Sequence, residues 1–358
     1  MEASAMNDLV EIKPRDREVY ETHLRDFLPE RMIDMHSHVW LDQHKARTSL
    51  NPVRTVSWPS LVALDNSIED LDETYRLMLP GKQVVPMIFS NLVSGDDVDG
   101  ANTYTSVVAA RQGYPALIFA APQWSADEFE NRVLAGGFIG AKVYMTMAAT
   151  HIPAREMRIF DYLPHHQLEV INRHQWIVML HIPRDARLKD ALNLAQMREI
   201  EQRYPVAQVI IAHVGRAYCA EDVGDAFDVL ADTRRMRFDI SANTNAEVFA
   251  QVIRAVGPKR ILFGSDMPIL RMRMRRICEE GRYINLVPRG LYGDVSGDKN
   301  MREVEGAEAE QLTFFLYEEL LALKRAAEET HLSAKDIKDI FYNNAVNMLA
   351  SAGFAMPR

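Results

Sequence analysis

Two histidines two residues apart, His36 and His38, lie in the short apolar run at residues 32–39. This run predicts a buried β-strand, and the alternation of side chains along a strand turns both imidazoles toward one face. Two imidazoles that point to one place can supply two ligands of a divalent metal ion. Two unrelated histidines near the end of a strand would look the same, so the interpretation depends on residues further along the chain.

Residues with metal-binding or proton-transfer chemistry recur at or near the ends of later apolar runs: Lys142, His181, His213 and Asp266. Continuous apolar strands that alternate with helical segments predict a parallel sheet covered on both faces. Eight strand–helix units predict an α/β fold of the closed (β/α)8 TIM-barrel type, in which the carboxyl ends of all strands meet at one mouth. The eight runs are 32–39, 83–90, 115–122, 138–144, 176–181, 207–213, 236–241 and 259–266.

The rest of the chain is organised around this predicted barrel. An open doubly wound sheet is the weaker alternative, because no Gly-x-Gly-x-x-Gly follows a predicted strand. Residues 1–31 are predicted to form an N-terminal lead-in, and residues 32–350 the barrel. The stretch 271–311 is predicted to be a long insertion over the barrel mouth after strand eight. Extra C-terminal helices near 313–329 and 333–350 are expected to complete the outer ring and cap the barrel.

Composition narrows the class of protein. The 358 residues include 41 lysines and arginines against 50 aspartates and glutamates, and the net charge of −9 argues against a nucleic-acid partner. No segment is long and apolar enough to span a bilayer, and residues 1–20 lack the apolar centre of a secretory signal. The two cysteines, Cys219 and Cys278, make no disulfide framework, which favours a reducing compartment. We therefore expect a cytoplasmic protein without a membrane partner; the insertion is compatible with a homo-oligomer.

Six motifs occur in a fixed order along the chain: Asp34-x-His36-x-His38, Gly140-Ala141-Lys142, His181, His213-Val214-Gly215, Gly264-Ser265-Asp266-Met267-Pro268 and Asn343-Asn344-Ala345. This ordered set resembles that of the amidohydrolase superfamily. The most similar branch is the amidohydrolase-2 group, which includes aminocarboxymuconate-semialdehyde decarboxylase-like enzymes, related hydratases and sugar-lactone hydrolases. The resemblance runs from about residue 32 to residue 350, and it is more specific for the superfamily than for the reaction.

The resemblance implies a role for each of these residues, and the chemistry of their side chains agrees with it. One divalent ion is expected, with zinc favoured over manganese or iron. Asp266 is also expected to shuttle a proton of the attacking water, and His213 to lie beside that water as a base or an orienting group. Asp34 is interpreted as a structural residue that points to the other face of strand one. The predicted metal ligands are His36, His38, His181 and Asp266.

Lys142 admits two interpretations. In some branches of the superfamily a lysine at this strand is carboxylated and bridges two metals, and a second metal is the less favoured arrangement here. Lys142 would otherwise hold a carboxylate or carbonyl of the substrate as a point charge. A lone lysine in an apolar strand is costly unless it is paired, which argues against a purely structural role.

Substrate contacts are predicted from side chains on loops above the mouth. An arginine there can bind a carboxylate through two parallel hydrogen bonds. The run Arg271, Arg273, Arg275 and Arg276 is interpreted either as a solvated helix face or oligomer contact, or as an anion-binding rim. The predicted substrate-binding residues are Arg184, Arg216, Arg47, Arg54 and Tyr144.

The function that these residues favour is a metal-dependent hydrolase. Activated water would attack an ester, lactone or amide bond of a small molecule that carries a carboxylate. The alternatives on the same scaffold are a non-oxidative decarboxylase (a carboxy-lyase), a hydratase and a metal-free lactonase. A non-catalytic binding module is the alternative of another class.

Overall fold

The core of the molecule is a ring of eight parallel strands. The computed structural model describes residues 9–46 and 61–356. Each predicted apolar run overlaps one strand, and every strand except the first is shorter than its run because residues at one or both ends of the run lie outside the sheet. The strands are β1 Arg31–His38, β2 Gln83–Phe89, β3 Ile118–Phe119, β4 Gly140–Val143, β5 Ile177–Leu180, β6 Gln208–Ile211, β7 Arg237–Asp239 and β8 Ile261–Leu262.

The ring is closed through the first strand. β1 pairs in parallel with β2, and β3 to β8 form a parallel sheet in sequence order. Single bridges complete the circle, from Ile88 of β2 to Ala116 and from Ser37 of β1 to Met267. The predicted (β/α)8 TIM barrel is therefore confirmed, and residues more than 200 positions apart meet at one end of it.

Helices surround the ring, and several begin at side chains that accept a hydrogen bond from their first turn. Ser67, Ser125, Asp190 and Asn245 act in this way. The helices are α1 Pro14–Val19, α2 Ile68–Met78, α3 Val98–Gln112, α4 Ala126–Ala135, α5 His165–His174, α6 Ala191–Arg203, α7 Ala226–Val229, α8 Ala246–Val256, α9 Gly306–Glu310, α10 Phe315–Glu329, α11 Ala334–Lys338 and α12 Asn344–Ser351. Within the described ranges, none of them is long and apolar enough to cross a membrane.

The inside of the barrel is an apolar core that the last helix closes. Ile33 and Met35 of β1 and Met179 of β5 belong to one buried cluster with Met348 and Leu349 of α12. Helix α12 also contacts both β1 and β8. The expectation that the C-terminal helices cap the barrel therefore agrees with this packing.

The stretch after β8 forms a small mixed sheet. Its strands are β9 Arg273–Glu279, β10 Arg282–Pro288, β11 Met301–Val304 and β12 Thr313–Phe314, in the order β11-β10-β9-β12. The arginine run therefore lies mainly on a strand, and the interpretation as a helix face is wrong. One member, Arg273, is buried in an ion pair with Asp16 of α1, with 2.7 Å between Nη2 and Oδ2. The location of this sheet over the barrel mouth stays a prediction.

The two cysteines pair, which corrects the expectation of no disulfide. Cys219, in the loop that follows β6, bonds to Cys278 of β9. The sequence offered no signal for this contact, because the two residues are 59 positions apart and meet only in the folded chain. The pairing removes the cysteine-based argument for a reducing compartment, and it fastens the inserted sheet to a barrel loop.

Replacement of Cys278 by serine should destabilise the protein. A crosslink across 59 residues restricts the unfolded chain, and its loss costs about 2–4 kcal/mol. We expect the midpoint of urea unfolding to fall in Cys278→Ser, and reductant to lower the wild-type midpoint while leaving the variant unchanged. Two reactive thiols in unfolded, unreduced wild-type protein would contradict the pairing.

Glu319 of α10 should make the stability of the protein depend on pH. This side chain is fully buried, and neither carboxyl oxygen makes a well-formed hydrogen bond to a described residue; the amide of Ala242 is the one polar group that opposes the effect of burial. Burial raises the pKa of Glu319 well above its ordinary value of 4.5, and the carboxylates of Asp34 and Asp239 raise it further. Above about pH 4.5 the unfolded chain therefore loses this proton while the folded chain keeps it, so stability falls as pH rises.

Substitution of Glu319 by glutamine should remove this pH dependence. We expect the difference in stability between Glu319→Gln and wild type to be small near pH 4. The difference should grow in favour of the variant as the pH rises to 8. Thermal midpoints across this range measure the effect, and Glu328→Gln at an exposed position of the same helix is the control. Parallel pH profiles for wild type and Glu319→Gln would show that Glu319 is ionised in the folded protein.

Candidate metal centre

His36 and His38 point into the barrel mouth from the end of β1. Their ring centroids are 5.3 Å apart, and both rings contact Phe89 of β2. Asp266 reaches them from beyond β8: its Oδ1 lies 3.0 Å from Nε2 of His38 and 3.4 Å from Nε2 of His36. One ligand atom of each of the three residues lies within 4.8 Å of the others, which is the geometry of a candidate metal site.

The backbone brings Asp266 to this place. Its amide donates to the carbonyl of His36 at 2.7 Å, which continues the barrel beyond the last residues of β8. Gly264 allows the close approach, because a Cβ there would lie 2.7 Å from the Cβ of His36. Gly264, the first residue of its motif, therefore makes room for His36.

Hydrogen bonds on the outer nitrogens fix the tautomers of both histidines. Nδ1 of His36 lies 2.9 Å from a carboxylate oxygen of Asp239, and Nδ1 of His38 lies 3.3 Å from the carbonyl of Ser90. Both acceptors require a hydrogen on Nδ1, so each neutral ring presents the lone pair of Nε2 to the centre. These lone pairs face Oδ1 of Asp266, and such an arrangement of acceptors fits a cation between them.

His181 and His213 extend the cluster. His181, directly after β5, lies against His213 with 5.3 Å between ring centroids, and it is outside the three-residue group of His36, His38 and Asp266. Nδ1 of His181 is buried with no hydrogen-bond partner among the described residues. An orphaned imidazole nitrogen in this position fits a metal ligand, because an unpaired buried polar atom is otherwise costly.

His213 begins a strained turn after β6. His213, Val214 and Gly215 have φ values of 57°, 48° and 63°, and a left-handed conformation is rare for a β-branched residue such as Val214. The Nδ1 of His213 donates to the carbonyl of Ser241 at 3.0 Å, which leaves the lone pair on Nε2. Its ring centroid is 4.9 Å from that of His36, so a proton acceptor lies beside the candidate metal ligands.

Asp239, at the end of β7, is a site residue that the sequence prediction missed. It is fully buried, binds Nδ1 of His36, and accepts hydrogen bonds from the amides of His213 and Ser241. Asp239 therefore orients one candidate ligand and one candidate base together. The available signal was an aspartate two residues before the end of the apolar run 236–241, the place that Lys142 has in the run 138–144.

Burial controls the charge of the cluster. Loss of solvent lowers the pKa of His36, His38, His181 and His213. Burial raises the pKa of Asp266, but the positive charge that His38, His213 and His36 carry when protonated acts in the opposite direction, and the pKa of Asp266 lies below its ordinary value. Asp266 is therefore an ionised carboxylate at neutral pH.

Lys142 of β4 points into the same space. Its Nζ lies 3.4 Å from Nε2 of His36 and 5.0 Å from the centroid of the Phe89 ring. Burial lowers the pKa of Lys142 to about 8, while the charges of Asp266 and Asp239 act in the opposite direction. The side chain thus remains mainly protonated at pH 7 and places a positive charge beside the candidate centre.

Asp34 lies on the outer side of β1. It accepts hydrogen bonds from the amides of His36 and Ser265 and from the hydroxyl of Tyr75 on α2. Strict alternation along the strand would place Asp34 on the same face as His36. The β1–β2 register is irregular between Asp34 and Ser37, which accounts for the different direction.

Three of the five predicted substrate-binding residues, Arg184, Arg216 and Tyr144, lie in the described part of the chain. Nε of Arg184 pairs with Asp190 at 2.9 Å, and Arg216 donates to the carbonyls of Ile182 and Arg184. The ring of Tyr144 lies 4.8 Å from that of His181. Arg47 and Arg54 lie outside the described residues. The roles of all five in substrate binding stay predictions.

Structural comparison finds the same fold in amidohydrolase-type enzymes. A 5-carboxyvanillate decarboxylase from Sphingomonas paucimobilis is 11% identical, with a TM-score of 0.54 over 90% of this chain and 99% of that chain. An amidohydrolase from Burkholderia multivorans with bound zinc is 13% identical, with a TM-score of 0.51 over 89% and 99%. A probable 2-pyrone-4,6-dicarboxylic acid hydrolase from Acinetobacter baumannii, with citric acid bound, is 15% identical, with a TM-score of 0.50 over 89% and 99%. These likenesses show the fold.

Sequence comparison identifies the family. No curated protein matches the chain significantly. The family model described as Amidohydrolase, Amidohydro_2, matches residues 33–276, the region that runs from β1 to the arginine run on β9. The match covers more than half of the chain and agrees with the ordered motifs, and this protein therefore belongs to the amidohydrolase family.

Proposed function

We propose that this protein is a metal-dependent hydrolase of an ester, lactone or amide bond in a small molecule that carries a carboxylate. The observation that supports the proposal is the arrangement of acceptors at the mouth. The lone pairs of His36 and His38 and the carboxylate of Asp266 face one another at 3.0–3.4 Å. Members of this family are metal-dependent hydrolases and decarboxylases, and a site of this geometry could hold the metal ion that such enzymes use.

One divalent cation would be held by His36, His38, His181 and Asp266. Three imidazoles and one carboxylate suit zinc best, and manganese or iron would also accept them. When bound, such an ion polarises a carbonyl and lowers the pKa of water toward 7. Lys142 is proposed to act as an ammonium group for a substrate oxygen, and a second metal bridged by its carboxylated form is the less favoured arrangement.

The chain supplies proton acceptors for a water molecule. Nε2 of His213 is unprotonated because Nδ1 donates to Ser241, and Asp266 is a second acceptor beside it. Hydrolysis needs a base to take the proton of the attacking water, whereas decarboxylation needs an acid to protonate carbon. The hydrogen-bond pattern of His213 therefore favours hydrolysis, whereas the ammonium of Lys142 is the acid that the decarboxylase, the second candidate on this fold, would use.

Replacement of Asp266 by asparagine tests the catalytic role. We expect Asp266→Asn to lower kcat/KM by about 10²–10⁴-fold, because it removes a proton acceptor and a candidate ligand. A panel of lactones, carboxylate-bearing esters and conjugated carboxylic acids should be assayed in parallel for acid release and for carbon dioxide. Release of carbon dioxide without hydrolysis would replace the hydrolase with the decarboxylase, and unchanged activity in Asp266→Asn would refute the assignment of the site.

Substitution of Asp239 by asparagine tests whether this carboxylate orients His36 for metal binding. Loss of the partner that fixes the His36 tautomer should weaken zinc affinity by about 10–100-fold. Competition with a chromophoric chelator measures the affinity, and Asp339→Asn, the same change at a buried position before α12, is the control. Equal zinc affinity in both variants would show that Asp239 does not act on the ligands.

A further inference from the structure

The guanidinium of Arg276 is a charged group that the proposed chemistry does not use. Arg276 belongs to the arginine run of the sequence, and β9 carries it on the inserted sheet. The side chain is largely buried. Three rings surround the guanidinium carbon, which lies 4.6 Å from the centroids of Tyr218 and Tyr283 and 4.7 Å from that of Phe315.

Two hydrogen bonds fix the direction of this guanidinium. Nε donates to the side-chain oxygen of Asn285 at 2.9 Å, and Nη1 donates to the carbonyl of Ala242 at 2.5 Å. The other terminal nitrogen, Nη2, has no hydrogen bond within the described residues and is not among the buried, unpartnered atoms. A donor therefore remains available on a side chain that is otherwise held in place.

Arg276 has no carboxylate in an ion pair within the described part of the chain, unlike two neighbouring arginines. Arg187, which contacts the same tyrosines, pairs with Asp222, and Arg273 on the same strand pairs with Asp16. A largely buried positive charge without a counter-charge is costly to the folded chain. Glu319 does not supply the counter-charge, because burial raises its pKa well above the ordinary value.

The position of Arg276 relative to the candidate metal centre follows from its partner. Ala242, whose carbonyl binds Nη1, is the residue after Ser241, and Ser241 binds Nδ1 of His213. Asp266 is close enough for its charge to act on Arg276 and oppose the effect of burial. The unpaired guanidinium is therefore on the side of the site formed by the loops that follow β6 and β7.

We propose that Arg276 binds the carboxylate of the substrate and selects for anionic molecules in this site. The planar guanidinium matches a carboxylate, and its fixed orientation reduces the entropy lost on binding. Binding there would hold the anionic end of the molecule at the rim while the reacting bond faces His213 and Asp266. The anion site itself is inferred from the geometry of Arg276 alone. That its ligand is the substrate rests on the proposed function.

A pair of matched probes tests the anion site in the full-length, zinc-loaded protein. Benzoate and benzamide have similar shapes and differ in charge, and titration calorimetry measures their dissociation constants. We expect Arg276→Gln to weaken benzoate binding by about 10–100-fold, the range for a lost hydrogen bond to a charged group, and to leave benzamide unchanged. Arg276→Lys should fall between wild type and Arg276→Gln, because it keeps the charge and loses the planar pair of donors.

Arg275→Gln is the control for the same strand. Arg275 points to the other side of β9, where its Nε lies 3.8 Å from Glu318, and its loss should change benzoate affinity less than twofold. Equal benzoate affinity in wild type and Arg276→Gln, or no benzoate binding in wild type, would overturn the inference. The same Arg276 dependence measured in Asp266→Asn protein would support the anion site even if no hydrolytic activity were found, which separates its outcome from that of the proposed function.

Discussion

The tautomers of the histidines are determined from outside the candidate metal centre, and the rest of the site depends on this constraint. Asp239 and the carbonyl of Ser90 take the hydrogen of each outer nitrogen, and they come from β7 and from the residue after β2. The lone pairs therefore meet a carboxylate at the mouth. Without these outer partners, either ring could turn its N–H toward Asp266 and form an ordinary hydrogen bond instead.

Closure of the barrel brings these distant residues together at one end. β1 lies between β2 and the residues that follow β8, so His36 contacts groups from both ends of the sequence. The amide of Asp266 bonds to the carbonyl of His36, and the outer face of β1 is held by Asp34 through Ser265 and Tyr75. The same strand thus carries candidate metal ligands on one side and structural hydrogen bonds on the other.

Much of the fold and part of the site could be predicted because they follow from repeated patterns. Eight apolar runs predicted eight strands, and the polar residue that ends three of these runs predicted His181, His213 and Asp266 at the mouth. Asp239 was missed because it lies inside its run and, unlike Asp266, belongs to none of the motifs that carry the family resemblance. The strand Arg273–Glu279 forms a hairpin with Arg282–Pro288, but its arginines obscured the strand pattern in the sequence. The partner of Cys278 lies 59 residues away, so local sequence could not reveal it.

The bond between Cys219 and Cys278 joins the loop after β6 to the inserted sheet. Loops and inserted segments usually tolerate changes in length. Here Tyr218 and Arg276, each within two residues of a bonded cysteine, contact each other and form one wall beside the candidate site, so an altered length on either side would displace both. The loop and the sheet are therefore expected to be inherited as a single module, and transplantation of one without the other should not preserve the shape of that wall.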